Sequence, residues 1–255
     1  MERLARWIDH LLFTRADHVL CVSSVLAAEA QRRGAKKERV HIVPNAVDPK
    51  QFQSVGLRQS LRYRLGLSNS VVIGHVGLFT AWDRLDMLVE VVKDVRELHS
   101  EVKLLLLGDG PEMEHVKQVA HQLGMQAALI VPGAVTRDEV PAYIDAMDIC
   151  VLPDSNVFGS PIALFEFMAM GKPSVVPDLK PMRDVIDHDL TGIMFPRGDC
   201  GALKEDLLRL VEDPELRTRI GLRAQRVTLE RHTWASNARL VTGLVAGNGS
   251  HCTSL

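Results

Sequence analysis

The chain has 255 residues, 46% of them hydrophobic and 24% charged, with a formal net charge of -2. That length and apolar content support one large or two small domains with a sizeable core, and argue against disorder. The near balance of charge speaks against a nucleic-acid partner held by phosphate neutralisation, and no apolar run approaches a membrane span.

Taken in order, residues 4–14 read as an amphipathic helix. Asp9, Arg15 and Asp17 interrupt its apolar residues, so it does not read as a signal peptide. Val19 to Val22 is a short buried strand. Ser23 or Ser24 then caps a helix that ends at Gly34, and Val40 to Val43 is a second strand. This opening βαβ unit has too few strands for a stable sheet and should pack on another element. Residues 48–70 are polar and connecting, with a basic helix around Arg58 to Arg64. From Val71 a fuller alternation begins. Strands are predicted at 71–77, 103–107, 128–131, 149–152, 174–176 and 191–195, and helices at 85–98, 112–123, 138–146, 201–212 and 214–231. A Trp234-containing helix precedes a polar tail. Such regular alternation predicts an α/β fold with a parallel doubly wound sheet, whose ligands bind at the carboxyl ends of the strands.

The stretch from Phe158 to Pro177 carries the most chemistry. Ser160 is expected to cap a helix, with Pro161 at its first position and Gly171 as its left-handed stop. Free N–H groups at that start would make an anion site. Glu166 lies roughly 9 Å further along, at about 1.5 Å per residue. Its carboxylate suits two hydroxyl groups. Phosphates at the helix start and a ribose at Glu166 would fit one nucleotide. The alternative is a buried helix carrying one exposed glutamate.

Other patterns carry less. Cys21, Cys150, Cys200 and Cys252 are dispersed, which suggests reduced thiols and a cytoplasmic protein. His115 and His121 share a helix without the spacing of a metal site, so no metal is expected. Gly108-Asp109-Gly110 imitates a dinucleotide fingerprint, but Met113 stands where the third glycine belongs. A turn whose Pro111 starts a helix is the plainer account.

Several landmarks together point to one family. They are Arg15-Ala16-Asp17 before Val22-Ser23-Ser24, Val43-Pro44-Asn45-Ala46-Val47-Asp48, and Gly108-Asp109-Gly110-Pro111-Glu112. Asp138-Glu139-Val140-Pro141-Ala142-Tyr143 follows, then Gly159-Ser160-Pro161 with Leu164-Phe165-Glu166-Phe167-Met168-Ala169-Met170-Gly171-Lys172-Pro173. Asp184-Val185-Ile186 and Thr191-Gly192 complete the set. The chain resembles the C-terminal part of a family 4 glycosyltransferase of the GT-B type. The resemblance runs to about Leu244.

It implies two facing Rossmann-like domains, with a nucleotide-sugar held mainly by the second. Residues 1–47 would be a remnant of the N-terminal acceptor domain, 48–70 a linker, 71–231 the donor domain, and 232–255 a closing helix and tail. The catalytic group, a histidine or an acid, would lie in the N-terminal domain and so outside this chain. By the resemblance, Glu166 would bind ribose hydroxyls. The N–H groups of Ile162 and Ala163, entered from Ser160, would bind the distal phosphate. The loop from Val131 to Val135 would line the base pocket, and Gly77 and Arg84 would lie beside the diphosphate. The donor substrate is the nucleotide-sugar, with no separate cofactor. The acceptor is not indicated, and peripheral membrane contact or a partner chain supplying the missing domain stay open.

The pattern is also broken. Leu78 and Asp83 stand where the family carries an arginine and a lysine that grip the diphosphate. Phe158 replaces the first glutamate of a Glu-x7-Glu motif, and Ala163 stands where related sequences often have lysine. Asp83 would repel the donor unless Arg84 neutralises it. The reading is therefore a sugar-transferring enzyme, inactive as an isolated chain, with a non-catalytic binding or interaction module of the same fold as the alternative. A GT-B-like nucleotide-sugar epimerase is a third reading.

Overall fold

The computed structural model describes residues 2–54 and 56–247. The predicted tail from residue 248, with Cys252, lies outside them. The opening unit is α1 (Glu2–Arg15), β1 (Val19–Cys21), α2 (Ser24–Arg32) and β2 (Val40–Ile42). β1 and β2 pair in parallel, with Val19 opposite Val40 and Cys21 opposite Ile42. Ser23 caps α2, its Oγ accepting from Leu26 N–H at 3.3 Å. Cys21, Ala27, Ala30 and Ala35 form a small core beneath it.

The main body contains α3 (Arg58–Arg64), β3 (Val72–Leu78), α4 (Leu85–Arg96), β4 (Lys103–Asp109), α5 (Met113–Gln122), β5 (Leu129–Gly133) and α6 (Val140–Ala146). It continues through β6 (Ile149–Val151), α7 (Ile162–Ala169), β7 (Ser174–Pro177), α8 (Lys180–Arg183), β8 (Ile193–Phe195), α9 (Cys200–Glu212), α10 (Pro214–Arg231) and α11 (Trp234–Val245). The single-turn α8 is an addition to the predicted elements. The strands form one six-stranded parallel sheet in the order β5-β4-β3-β6-β7-β8. The chain builds outward from β3 to β5, then returns to the other side of β3 with β6. A crevice therefore opens between the carboxyl ends of β3 and β6, where the strand order reverses.

Both faces of this sheet are covered, which explains the unbroken apolar run in β4. Leu104 and Leu106 enter a core with Leu88 and Val92 of α4 and Leu207 of α9. Leu105 and Leu107 enter the opposite core with Phe165, Phe167 and Met168 of α7. α7 ends as its sequence predicts. Gly171 has φ +66°, its N–H bonds to Met168 O, and Lys172 N–H bonds to Phe167 O, the paired closure of a Schellman motif. α10 packs against that end so closely that a Cβ on Gly221 would lie 2.0 Å from Gly171 O.

The stretch 48–70 is more than a connector. Phe52, Leu61 and Leu67 are fully buried in it. Arg58 and Arg62 of α3 both reach Asp148 at the start of β6, at 2.5 and 3.0 Å. Asp148 also accepts Val72 N–H at 2.8 Å, and Arg62 donates to Ala146 O at 2.8 Å. Lys172 closes the neighbouring turn, its Nζ donating to Asp145 O at 2.8 Å. α11 returns to the opening unit: Val47 N–H donates to His232 O at 3.1 Å, Trp234 N–H to Val47 O at 3.2 Å, and Asn237 Nδ2 to Pro44 O at 2.8 Å.

Burial pushes the Asp148 carboxyl up, but the Val72 N–H and the guanidinium groups of Arg62 and Arg58 outweigh it and hold its pKa below the ordinary range. Its ionised form is therefore favoured by folding. That contribution is present above about pH 3.9, the ordinary aspartate value, and is lost as pH falls through the lower native value. Asp148→Asn should cost about 3 kcal/mol in urea melts at pH 7, the lower end for a buried pair, because the buried Arg62 loses its charged partner while Arg58 is part-exposed to water. The gap to wild type should narrow in melts below about pH 4. A gap that stays constant down to pH 3 would rule out the ionic account.

Candidate donor site

The site is built where the sheet reverses. β3 ends in Gly77 and Leu78, which lie opposite Gly108 and Asp109 of β4. A Cβ on Gly108 would meet Gly77 O at 1.9 Å, and one on Gly110 would meet Phe79 O at 2.4 Å. These glycines let two strand ends cross closely and do not form a dinucleotide cradle. Helix α5 starts at Met113, two residues beyond Pro111. Beneath Gly77, His75 is buried, and its Nδ1 donates to Val151 O at 2.9 Å. Burial holds this imidazole neutral, its pKa pushed down.

Across the crevice, α7 starts at Ile162 and not at Pro161. Ser160 is not its cap. Pro161 has extended backbone (φ -62°, ψ 121°) and occupies the cap position itself. The Ser160 hydroxyl instead accepts Asn45 N–H at 3.0 Å, and its carbonyl accepts Asn45 Nδ2 at 2.6 Å. Leu164 N–H bonds back to Pro161 O, whereas the N–H groups of Ile162 and Ala163 have no acceptor among the described residues. The positive end of the helix is thus available to an anion.

Glu166 is 2% exposed, so the picture of one surface glutamate on a buried helix is overturned. Its Oε1 lies 2.5 Å from Arg137 Nη2. Arg137 is half-exposed and stacks over the Phe52 ring at 4.7 Å. It is presented by a turn in which Thr136 N–H and Oγ1 both donate to Glu139, at 3.0 and 2.7 Å. Burial pushes the Glu166 carboxyl up, and Arg137 offsets part of that. Sequence reasoning missed Arg137, because a loop residue that pairs with a helix far along the chain leaves no local pattern.

The remaining positions scatter. The expected loop from Val131 to Val135 is not all loop: residues 131–133 are the end of edge strand β5, and the chain leaves the strand only after Gly133. Val131 packs against the core on the α4 face and Val135 against the core on the α7 face. Arg84 has left-handed backbone (φ 49°) and is held by Asp86, its Nε 3.1 Å from Oδ1. It does not neutralise Asp83. That carboxylate is turned into its own 3-10 turn, accepting Thr80 N–H at 3.0 Å and the Thr80 hydroxyl. The Thr80-x-x-Asp83 spacing is a capping signature that could have shown this. Leu78 is 66% exposed at the end of β3. A further unanticipated pair, Arg197 Nε to Asp154 Oδ1 at 2.7 Å, joins the loops after β8 and β6.

Among the described residues no three His, Cys, Asp or Glu side chains converge, and His115 and His121 are both exposed. Cys21, Cys150 and Cys200 are free thiols, and burial pushes Cys150 up to about 12. No helix among the described residues is long and apolar enough to cross a membrane.

The profile of glycosyl transferases group 1 matches residues 58–227, more than half of the chain. The chain belongs to that family. A second profile, glycosyltransferase family 4, matches residues 1–51. Alpha-D-kanosaminyltransferase of Streptomyces kanamyceticus is 23% identical over 246 residues, covering 95% of this chain and 64% of that protein. N-acetyl-alpha-D-glucosaminyl L-malate synthase of Bacillus anthracis is 27% identical over 220 residues, covering 85% and 56%. The chain thus spans less than two thirds of the length of either relative. HepE of Anabaena, solved in complex with UDP, superposes with a TM-score of 0.88 at 20% identity, covering 97% of this chain and 68% of that one. Sucrose-phosphate synthase of Thermosynechococcus elongatus gives 0.82 at 19%, covering 96% and 62%. The expected GT-B type α/β fold is borne out.

The raised Glu166 pKa makes a stability prediction. Folding disfavours the ionised carboxylate, so wild type should lose stability as pH rises from about 4.3, the ordinary glutamate value, through the native value. Glu166→Gln should melt at the wild-type temperature or above at pH 7, and that advantage should vanish in melts below about pH 4. A large loss of melting temperature at pH 7 would show that the ion pair with Arg137 outweighs the cost of burial.

Proposed function

We propose that the chain supplies the donor-binding half of a family 4 glycosyltransferase that moves a sugar from a nucleotide-sugar to an acceptor. One observation carries the reading: unpartnered N–H groups at Ile162 and Ala163 and a buried carboxylate at Glu166 lie on one helix, beside the reversal of the sheet. The family membership and the UDP bound by HepE support it. In this reading the diphosphate lies at the start of α7, the ribose at Glu166 beside Arg137, and the base along residues 131–135. The helix end would stabilise the negative charge that develops on the departing diphosphate. Residues 1–47 would belong to the acceptor domain. The acceptor site and catalytic group would come from further chain or from a partner, and no step is assigned to a metal.

The absence of cations at Leu78 and Asp83 favours a second reading, a nucleotide-binding module without turnover. A helix end contributes only about 0.3–1 kcal/mol per charge at an exposed site. Affinity for a nucleoside diphosphate should therefore lie near the millimolar range, about 4 kcal/mol.

Calorimetric titration with uridine, guanosine and adenosine diphosphates tests both readings, and binding of none would overturn both. Leu78→Arg should tighten the diphosphate that binds about tenfold, because one charge-assisted contact is worth roughly 1.5–3 kcal/mol. Binding of the matching nucleoside should not change. Asp83→Lys is a poorer probe, since it also removes the cap on Thr80. Equal effects of Leu78→Arg on nucleoside and diphosphate would place Leu78 away from the phosphates.

A further inference from the structure

The segment that leads into α7 is held from the opening unit. Ser23 Oγ donates to Phe158 O at 2.7 Å. Asn45 gives both of its donors to Ser160, the backbone N–H to Oγ at 3.0 Å and the side-chain amide to the carbonyl at 2.6 Å. Nearby, Ser24 N–H donates to Asp184 Oδ2 at 2.7 Å, at the end of α8. Two short β-strands and a helix are thereby tied to residues 158–160 by side chains that the sequence places far away.

Asn45 is itself well anchored. On one side Pro44 O accepts Asn237 Nδ2, and on the other Ala46 and Val47 are buried, with Val47 bridged to Thr233. Downstream of Ser160 little can flex. Pro161 has its φ fixed by the ring, so the direction of the Ser160 carbonyl sets the direction in which the first turn of α7 leaves. Upstream, Gly159 is pressed against Asn156, since a Cβ there would lie 2.4 Å from Asn156 Oδ1. The aim of the Ile162 and Ala163 N–H groups therefore follows from how Asn45 holds Ser160.

We infer that Asn45 is a positioning residue for the phosphate end of the nucleotide site. It touches no ligand and acts through Ser160 and Pro161 on the N–H groups of Ile162 and Ala163. The inference rests on the proposed reading of that site. It also links the seating of the opening unit to diphosphate affinity, and linkage of this kind works in both directions.

The test uses the full chain, titrated calorimetrically with UDP, GDP and ADP and with their nucleosides. Asn45→Ala should weaken the diphosphate that wild type binds about tenfold, while binding of the matching nucleoside changes less than twofold. Asn45→Asp keeps the backbone donor but sets a carboxylate against the Ser160 carbonyl, and should be at least as damaging. Ser160→Ala removes an oxygen whose partner among the described residues is Asn45 N–H, and should show a smaller loss confined to the diphosphate. It carries the test if Asn45→Ala does not fold. Asn45→Ala keeps the backbone N–H that Ser160 Oγ accepts, so the double variant Asn45→Ala with Ser160→Ala loses both contacts. It should bind the diphosphate more weakly than Asn45→Ala alone, with the nucleoside still changed less than twofold. A merely structural role would weaken nucleoside and diphosphate equally, and that result overturns the proposal, as does unchanged diphosphate binding. If wild type binds neither nucleosides nor diphosphates, the site reading itself has failed and this inference falls with it.

Discussion

The position of one strand decides where everything else can be. β6 must lie beside β3 for the sheet to reverse, and a half-buried carboxylate fixes it there. Asp148 joins the start of β6 to the start of β3 through Val72 N–H, and to α3 through Arg58 and Arg62. A lone carboxylate at that depth would be costly, and two guanidinium groups and a backbone donor offset that cost. The network sits at the amino ends of the strands. Their carboxyl ends are left to diverge, and the crevice that opens there is the candidate site. Structural charge and functional charge are thus kept at opposite ends of one sheet.

At the functional end the balance is unusual. The acidic groups are spent within the protein: Asp83 on Thr80, Asp86 on Arg84, Asp154 on Arg197, and Glu166 on Arg137. Each guanidinium near the crevice is already engaged. What remains without a hydrogen-bond partner among the described residues is the backbone N–H groups at the start of α7, together with two buried side-chain atoms, Glu166 Oε1, whose contact with Arg137 is an ion pair, and His75 Nε2. An incoming anion would meet partial charges held rigidly by a helix. Such a site is directional but weak, because a helix end carries only about half an elementary charge.

Much of this fold was legible in the sequence, because a parallel sheet covered on both faces writes itself as apolar runs. The order of strands and helices, the αL stop at Gly171 and the cap at Ser23 follow from short-range rules, and the structure keeps them. The misreadings share a cause. Ser160 before Pro161 is a local capping pattern, but a residue 115 positions away claims both its oxygens. Glu166 has a local setting that says surface or site, and Arg137 arrives from another loop to cover it. Asp83 differs: its Thr80-x-x-Asp83 spacing was present in the sequence, yet the charge was weighed against a ligand and not against its own backbone.

The bridge between Val47 and Thr233 has a mechanical meaning. The chain passes between the opening unit and the main body twice, near residues 43–48 and again near 231–234, and the two passages are hydrogen-bonded side by side. Two parallel straps hold the units together. Twisting one unit against the other would have to shear the hydrogen bonds at Val47, and swinging them apart would have to break those from Ser23 to Phe158 and from Ser24 to Asp184. Asn45 lies within the first of these straps, so its grip on Ser160 is held at the line where the two units join.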